Sequence, residues 1–166
     1  MLYGVPKFGQ RYAMSCWACS IRMILAFNGR AVATDDAIAA PTGHASSLAS
    51  GLDPNDGRPL RQWGFTMLAP QTFTEEGMVQ LVNSRGPLWV ACDVRFPGAS
   101  SSVPHVRVIR GVRDLQTPMA LAVNDPGPVG AGSQYDETYT EFVRKNESLG
   151  DVERRQANPI YIAYYG

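Results

Sequence analysis

Helix-forming segments come first and strand-forming segments second along this 166-residue chain, the order of an α+β fold with two segregated parts. Two patterns carry that expectation. In the first half, apolar side chains recur at helical spacing, as at Ile21, Ile24 and Leu25, and the runs stop at Asn28-Gly29 and Gly86-Pro87. From Leu88 onward, segments 88 to 94, 105 to 112, 119 to 123 and 160 to 165 are rich in Val, Ile, aromatic and other apolar residues, with Gly, Pro, Ser and Asp clusters between them. The expectation is a single domain over residues 1 to 166, with a helical lobe over about 1 to 86 packed on an antiparallel β-sheet lobe over about 87 to 166.

Residues 1 to 15 read as an extended arm with turns at Gly4, Pro6 and Gly9. Ser15 stands as an N-cap, so Cys16 opens a helix that runs to about Phe27. There the positive end of the macrodipole favours a thiolate, by about 0.3–1 kcal/mol in an exposed setting. Thr34-Asp35-Asp36 begins a short helix through Ala40. Residues 41 to 58, rich in Gly, Ser, Pro and Asn, read as a long surface loop, with His44 a solvated residue within it. One helical turn is expected around Leu60 and Trp63, and a short strand at 65 to 68. Thr74 caps a helix with Glu75 and Glu76 in its first turn. Within the sheet part, a loop is expected at 96 to 104 and a further helix at 138 to 145.

Composition narrows the function. Fifteen basic and fifteen acidic residues cancel, so nothing favours nucleic acid or an anionic membrane as a partner. The start of the chain lacks the charged-then-apolar build of a secretory signal, and the apolar run at 21 to 27 is too short to span a bilayer. Cys16, Cys19 and Cys92 are an odd number, which rules out a complete set of internal disulfides. Cys16 and Cys19 form a C-x-x-C, but a structural zinc site needs four ligands and the two His are isolated. A redox pair of this type follows a strand in a βαβ unit, whereas here a polar, Gly-containing arm precedes it. No metal and no cofactor is expected.

Four residues stand in an order that chemistry can use. Cys16, at a helix start, is the candidate nucleophile; Cys19 reads as packing behind it and Cys92 as core. His105 opens a strand directly beside a Ser-rich loop, where a side chain is both fixed and partly open, and it is the candidate base. Asn124-Asp125-Pro126 ends the next strand. An acid there accepts the imidazole N–H and supports the imidazolium. Adjacent strand residues point to opposite faces, so one of the two reaches His105; Asp125 is preferred and Asn124 kept as the alternative orienter. Gln10 carries an amide N–H₂ that suits a developing oxyanion. Trp17 is either core or a wall of the cleft.

The set resembles the papain-like cysteine proteases, in particular compact bacterial forms related to bacteriocin-leader peptidases and secreted effector or toxin proteases. The residues that carry the resemblance are Gln10, Cys16-Trp17-Ala18, Gly86-Pro87-Leu88-Trp89-Val90, the His105-to-Gly111 run HVRVIRG and Asn124-Asp125-Pro126, with Thr140-Glu141-Phe142 similar to the closing part of the fold. The resemblance implies a papain-like architecture, with Cys16 as nucleophile, His105 as general base, Asp125 as orienter and Gln10 as oxyanion donor. It implies a protein or peptide substrate, in a chain that is cytoplasmic in its producer or delivered as an effector. For a toxin, an inhibitory (immunity) protein follows by analogy. Cys19 departs from the small residue often found there, and Arg107, unusual in a strand that is commonly apolar, is expected to face solvent or the cleft. The same residues also serve peptidoglycan amidases, deamidases and transglutaminases, the loops at 41 to 58 and 96 to 104 setting the choice. A thiol-redox protein and a non-enzymatic binding module of the same fold are the readings from other classes.

Overall fold

The computed structural model describes residues 1–95, 100, 102–114, 118–152 and 161–166. Most of the expected loop at 96 to 104, and the start of the last expected strand at 160, lie outside them. In chain order the elements are α1 (Cys16–Phe27), α2 (Asp35–Ala39), a single 3₁₀ turn (Ala40–Thr42), α3 (Ser47–Ser50), α4 (Arg58–Gln62), β1 (Phe65–Met67), α5 (Glu75–Arg85), β2 (Leu88–Val94), β3 (Val103–Asp114), β4 (Ala120–Asp125), β5 (Ser133–Thr138), α6 (Tyr139–Val152) and β6 (Ile162–Tyr165). The fold is α+β and papain-like: the cysteine-bearing helix belongs to the N-terminal region, and an antiparallel sheet carries the His and Asp.

The strands form one sheet in the order β1-β6-β2-β3-β4-β5, each neighbour antiparallel. Alternation along the strands gives it two apolar faces. On one, Trp89, Ala91, Val106 and Val108 pack with Ile21, Ile24 and Leu25 of α1 in a buried cluster. On the other, Val90, Ile109, Leu121 and Val123 pack with Met78 and Val82 of α5 and Phe142 of α6. The central strand β2 is thus apolar on both sides, whereas β5 at the sheet edge is polar outside.

Three expectations are corrected. The segment at 41 to 58 is not an open surface loop: it contains α3, and Leu48 and His44 are buried. His44 is clamped by Asp56, with Nε2 to Oδ2 at 2.8 Å, and its Nδ1 lies 2.7 Å from the Thr42 carbonyl. Its ring also stands edge-on to Trp17. Ser15 occupies the N-cap position without capping, because its hydroxyl donates to Asp35 Oδ2 at 2.7 Å and accepts from Tyr12 N–H at 3.0 Å. Finally, β5 has no counterpart in the sequence reading, and α6 runs longer than 138 to 145.

Two features fix the arm that leads into α1. The arm lies so close to the β4–β5 turn that a Cβ at Gly9 would meet Ala131 N at 2.4 Å, and one at Gly132 would meet Phe8 O at 2.5 Å. Only glycine allows that approach, and at Gly132 its φ of +62° as well. The backbones are then joined by Gln10 N–H to Pro126 O at 2.9 Å and Gly130 N–H to Gln10 O at 2.8 Å. On the other side, fully buried Asp35 accepts from Arg11 N–H at 2.8 Å, from Ser15 Oγ at 2.7 Å and from Arg22 Nη1 at 2.6 Å. One carboxylate therefore ties the arm, the start of α1 and its second turn together.

Asp35→Ala leaves the mostly buried Arg22 guanidinium uncompensated and the arm untied. The expected cost is about 3 kcal/mol or more in urea unfolding; a loss under about 1 kcal/mol would show that the arm is held by its other contacts.

Candidate active site

Cys16 begins α1 and lines a pocket of about 230 Å³ together with Trp17, Leu52, Trp89, His105 and Val106, among others. Apart from Ser50, Asp53 and His105, the lining is chiefly apolar. Trp17 is both core and wall: it is buried, its indole N–H reaches Ser47 O at 3.3 Å, and its own carbonyl accepts from Trp89 Nε1 at 3.2 Å. The first-turn N–H groups of α1, Cys16 included, have no partner within the helix by construction.

His105 sits near the start of β3, opposite Cys92 of β2. Its Nε2 lies 2.7 Å from Asp125 Oδ1. The Cys16 thiol lines the same pocket as this ring, and its sulfur favours the charged imidazole. Burial opposes a charge on this imidazole, but the Asp125 hydrogen bond and the Cys16 sulfur outweigh it and push the pKa up to about 9. Asp125 moves the other way. Burial would raise its carboxyl, yet the His105 bond, the Gly127 N–H at 2.8 Å and the Tyr135 hydroxyl hold it below the usual range.

Strand register explains which acid meets the ring. Asn124 pairs with Val108, whose side chain lies on the α1 face, so Asn124 points there too. Fully buried, it donates from Nδ2 to Val5 O at 3.0 Å and accepts from Gln134 Nε2 at 2.8 Å, pinning the arm to the sheet. Asp125, one residue on, falls on the opposite face with His105.

Gln10 is buried near this point, but its amide is already committed. Nε2 donates to the carbonyls of Tyr12 and Ala13, both at 2.8 Å, in the turn before Cys16. The other two thiols are turned away. Cys19 lies fully buried with Sγ 3.6 Å from Phe8 O, and burial, reinforced by Asp35, pushes its pKa up. Burial likewise pushes Cys92 up to about 12. All three are free cysteines, and of the three only Cys16 lines the pocket with His105.

Sequence reasoning missed the support behind Asp125. Arg107, placed there at solvent or in the cleft, is fully buried and paired with Glu137 of β5, Nη1 to Oε1 at 3.0 Å. The signal was present: an Arg between Val106 and Val108 in an apolar strand needs a buried acid, and Glu137 alternates with Gln134 and Asp136 on β5.

Among the described residues no helix is long and apolar enough to cross a membrane. Comparison with curated proteins gives no match. The family described as papain-like cysteine protease AvrRpt2 matches residues 3–147, which takes in α1, β2, β3, β4 and β5 with every side chain placed above. The chain therefore belongs to that family of papain-like cysteine proteases, and is a thiol hydrolase with a protein or peptide substrate.

Proposed function

We propose that Cys16 is the nucleophile of an amide-cleaving hydrolase, with His105 as its acid–base and Asp125 as the orienter. The observation that carries the reading is the imidazole between two partners: one ring nitrogen on Asp125 Oδ1 at 2.7 Å, and the ring lining one pocket with the Cys16 thiol. A proton passed from sulfur to this ring leaves a thiolate–imidazolium pair, which Asp125 stabilises. The thiolate attacks the carbonyl carbon, and the oxyanion is met by the N–H groups at the start of α1. His105 then protonates the leaving amine and takes a proton from water, which attacks the acyl-thioester and frees Cys16.

Gln10 contributes to the oxyanion site in this reading by giving up one of its two carbonyl partners. Its buried position at the turn before Cys16 favours that role, and the bonds to Tyr12 and Ala13 must rearrange for it. The apolar pocket beside the thiol favours a polypeptide with a bulky apolar side chain near the scissile bond over a peptidoglycan. Asn124, as orienter, is disfavoured by its bonds to Val5 and Gln134. The wider role that fits is a delivered effector or toxin protease, held in check in its producer by an immunity protein.

Iodoacetamide at mildly acidic pH, where a free thiol of pKa about 8.5 is protonated, is expected to label Cys16 ahead of Cys19 and Cys92. His105→Ala abolishes that preference with the fold intact. Equal, slow labelling of all three thiols would sink the assignment. Gln10→Ala is expected to lower kcat on a peptide by about 10²-fold, with labelling of Cys16 retained; unchanged turnover would remove Gln10 from the oxyanion site.

The charge on His105 also sets a stability profile. Its folded pKa of about 9 exceeds the unfolded value near 6.5, so its contribution is complete below about 6.5 and disappears as pH rises through about 9. Asp125 is lowered, so its contribution is lost as pH falls below about 4. The stability gap between wild type and His105→Ala is expected to be widest at about pH 5 to 6 and smaller by about 3 kcal/mol above pH 9, in urea titrations. A gap independent of pH would contradict the ion pair.

A further inference from the structure

The carboxylate that orients His105 is itself held from behind. Tyr135 of β5 donates its hydroxyl to Asp125 Oδ2 at 3.0 Å, and Arg107 Nη1 donates to the Tyr135 oxygen at 3.0 Å. Register makes this possible. Tyr135 pairs with Val123 and Ser133 with Asp125, so Tyr135 and Asp125 are diagonal neighbours on one face, and Arg107 belongs to that face through alternation with Val108. A guanidinium only donates, so Arg107 fixes the phenol oxygen as acceptor and leaves its single proton for Asp125. Both oxygens of Asp125 are then engaged: Oδ1 by His105 and the Gly127 N–H, Oδ2 by Tyr135.

The arrangement is costly if stability were its only purpose. Arg107 is fully buried, and Glu137, which balances it, is buried and shared with Lys145 of α6. An apolar replacement for such a pair is often neutral or stabilising. What an apolar strand cannot supply is a directed donor on Asp125. We propose that Tyr135, oriented by Arg107, is a positioning residue that locks Asp125 against His105 and so keeps the imidazole aimed at Cys16. The inference rests on the hydrolytic reading of Cys16, His105 and Asp125.

The charges and titrating groups around this pair are His105 and Arg107 on β3, Glu137 on β5, Cys92 on β2, Cys16 and Cys19 on α1, and Lys145 on α6 behind Glu137. Burial pushes the Tyr135 phenol upward, which keeps it a protonated donor. Loss of that donor raises the Asp125 carboxyl, because the hydrogen bond stabilises the charged form.

The test is the pH dependence of Cys16 alkylation by iodoacetamide in wild type, in Tyr135→Phe, and in protein with 3-fluorotyrosine at position 135. Tyr135→Phe is expected to react about tenfold more slowly at mildly acidic pH, with the acid limb moved to higher pH. The fluorinated phenol, a stronger donor of the same shape, moves the limb the other way, which a purely structural role would not do. Unchanged limbs in both variants, or rates that fall only with the folded fraction, overturn the proposal. Should Tyr135→Phe not fold, the fluorotyrosine protein still decides. A wild-type Cys16 without His105-dependent reactivity would be a failure of the hydrolytic reading instead. The ¹³C titration of the Asp125 carboxyl in Cys16→Ala protein separates the two, since it needs no chemistry at sulfur: a rise on adding Tyr135→Phe upholds the Tyr135 link, and an unmoved midpoint ends it.

Discussion

The hydrogen bond between His105 Nε2 and Asp125 Oδ1, 2.7 Å long and almost closed to solvent, is the interaction on which the other polar contacts of the site are arranged. An imidazolium removed from water is costly unless a partner and further hydrogen bonds compensate it. The sheet supplies these in sequence: Asp125 for His105, Tyr135 and the Gly127 N–H for Asp125, Arg107 for Tyr135, Glu137 for Arg107, Lys145 for Glu137. Each step hands the uncompensated charge one place further from the pocket, until Lys145 brings it to the partly exposed surface of α6. The polar chain occupies one end of a face whose remainder is apolar core, so its geometry is set by strand register and not by loop conformation.

The sulfur half of the site is placed by different means. Cys16 follows an arm that has no helix or strand, only an isolated bridge from Leu2 to Gly111, and a loose segment does not fix a side chain. Asp35, the Gly9–Gly132 approach and Asn124 make that arm rigid from three directions. The two residues of the Asn-Asp pair thus serve opposite faces of one strand: Asn124 holds the arm that leads to Cys16, and Asp125 holds the His105 ring.

What could be read from the chain follows from the range of each interaction. Helical spacing in α1, the Thr74 cap and the apolar runs of β2 to β4 are local signals and appear in the sequence directly. Strand alternation already required Asn124 and Asp125 to diverge. The rest depends on partners far along the chain. His44 looks solvated among Gly and Ser because Asp56, twelve residues on, and Trp17 bury it only in the folded state. The strand β5 is polar at Gln134 and Asp136 and has no apolar run; its inward residues, Tyr135 and Glu137, make sense only beside Arg107, about thirty residues earlier. Gln10 shows the same limit, since nothing in its neighbours tells that both its N–H groups close a turn.

Thiol selectivity follows from these placements. A thiol is useful only as far as its thiolate is supported, and burial without a partner suppresses the charge. Cys19 is one turn along α1 from Cys16, buried, and near the Asp35 carboxylate, so solvation and charge both act against its ionisation. Cys92 faces the guanidinium of Arg107, yet complete burial still dominates and pushes it up to about 12. Cys16 shares a helix with one and a sheet neighbour with the other, but of the three it alone lines the pocket with His105. Asp35 therefore acts twice: it fixes the arm that leads to Cys16, and its charge adds to the burial that disfavours ionisation of the second thiol of the C-x-x-C.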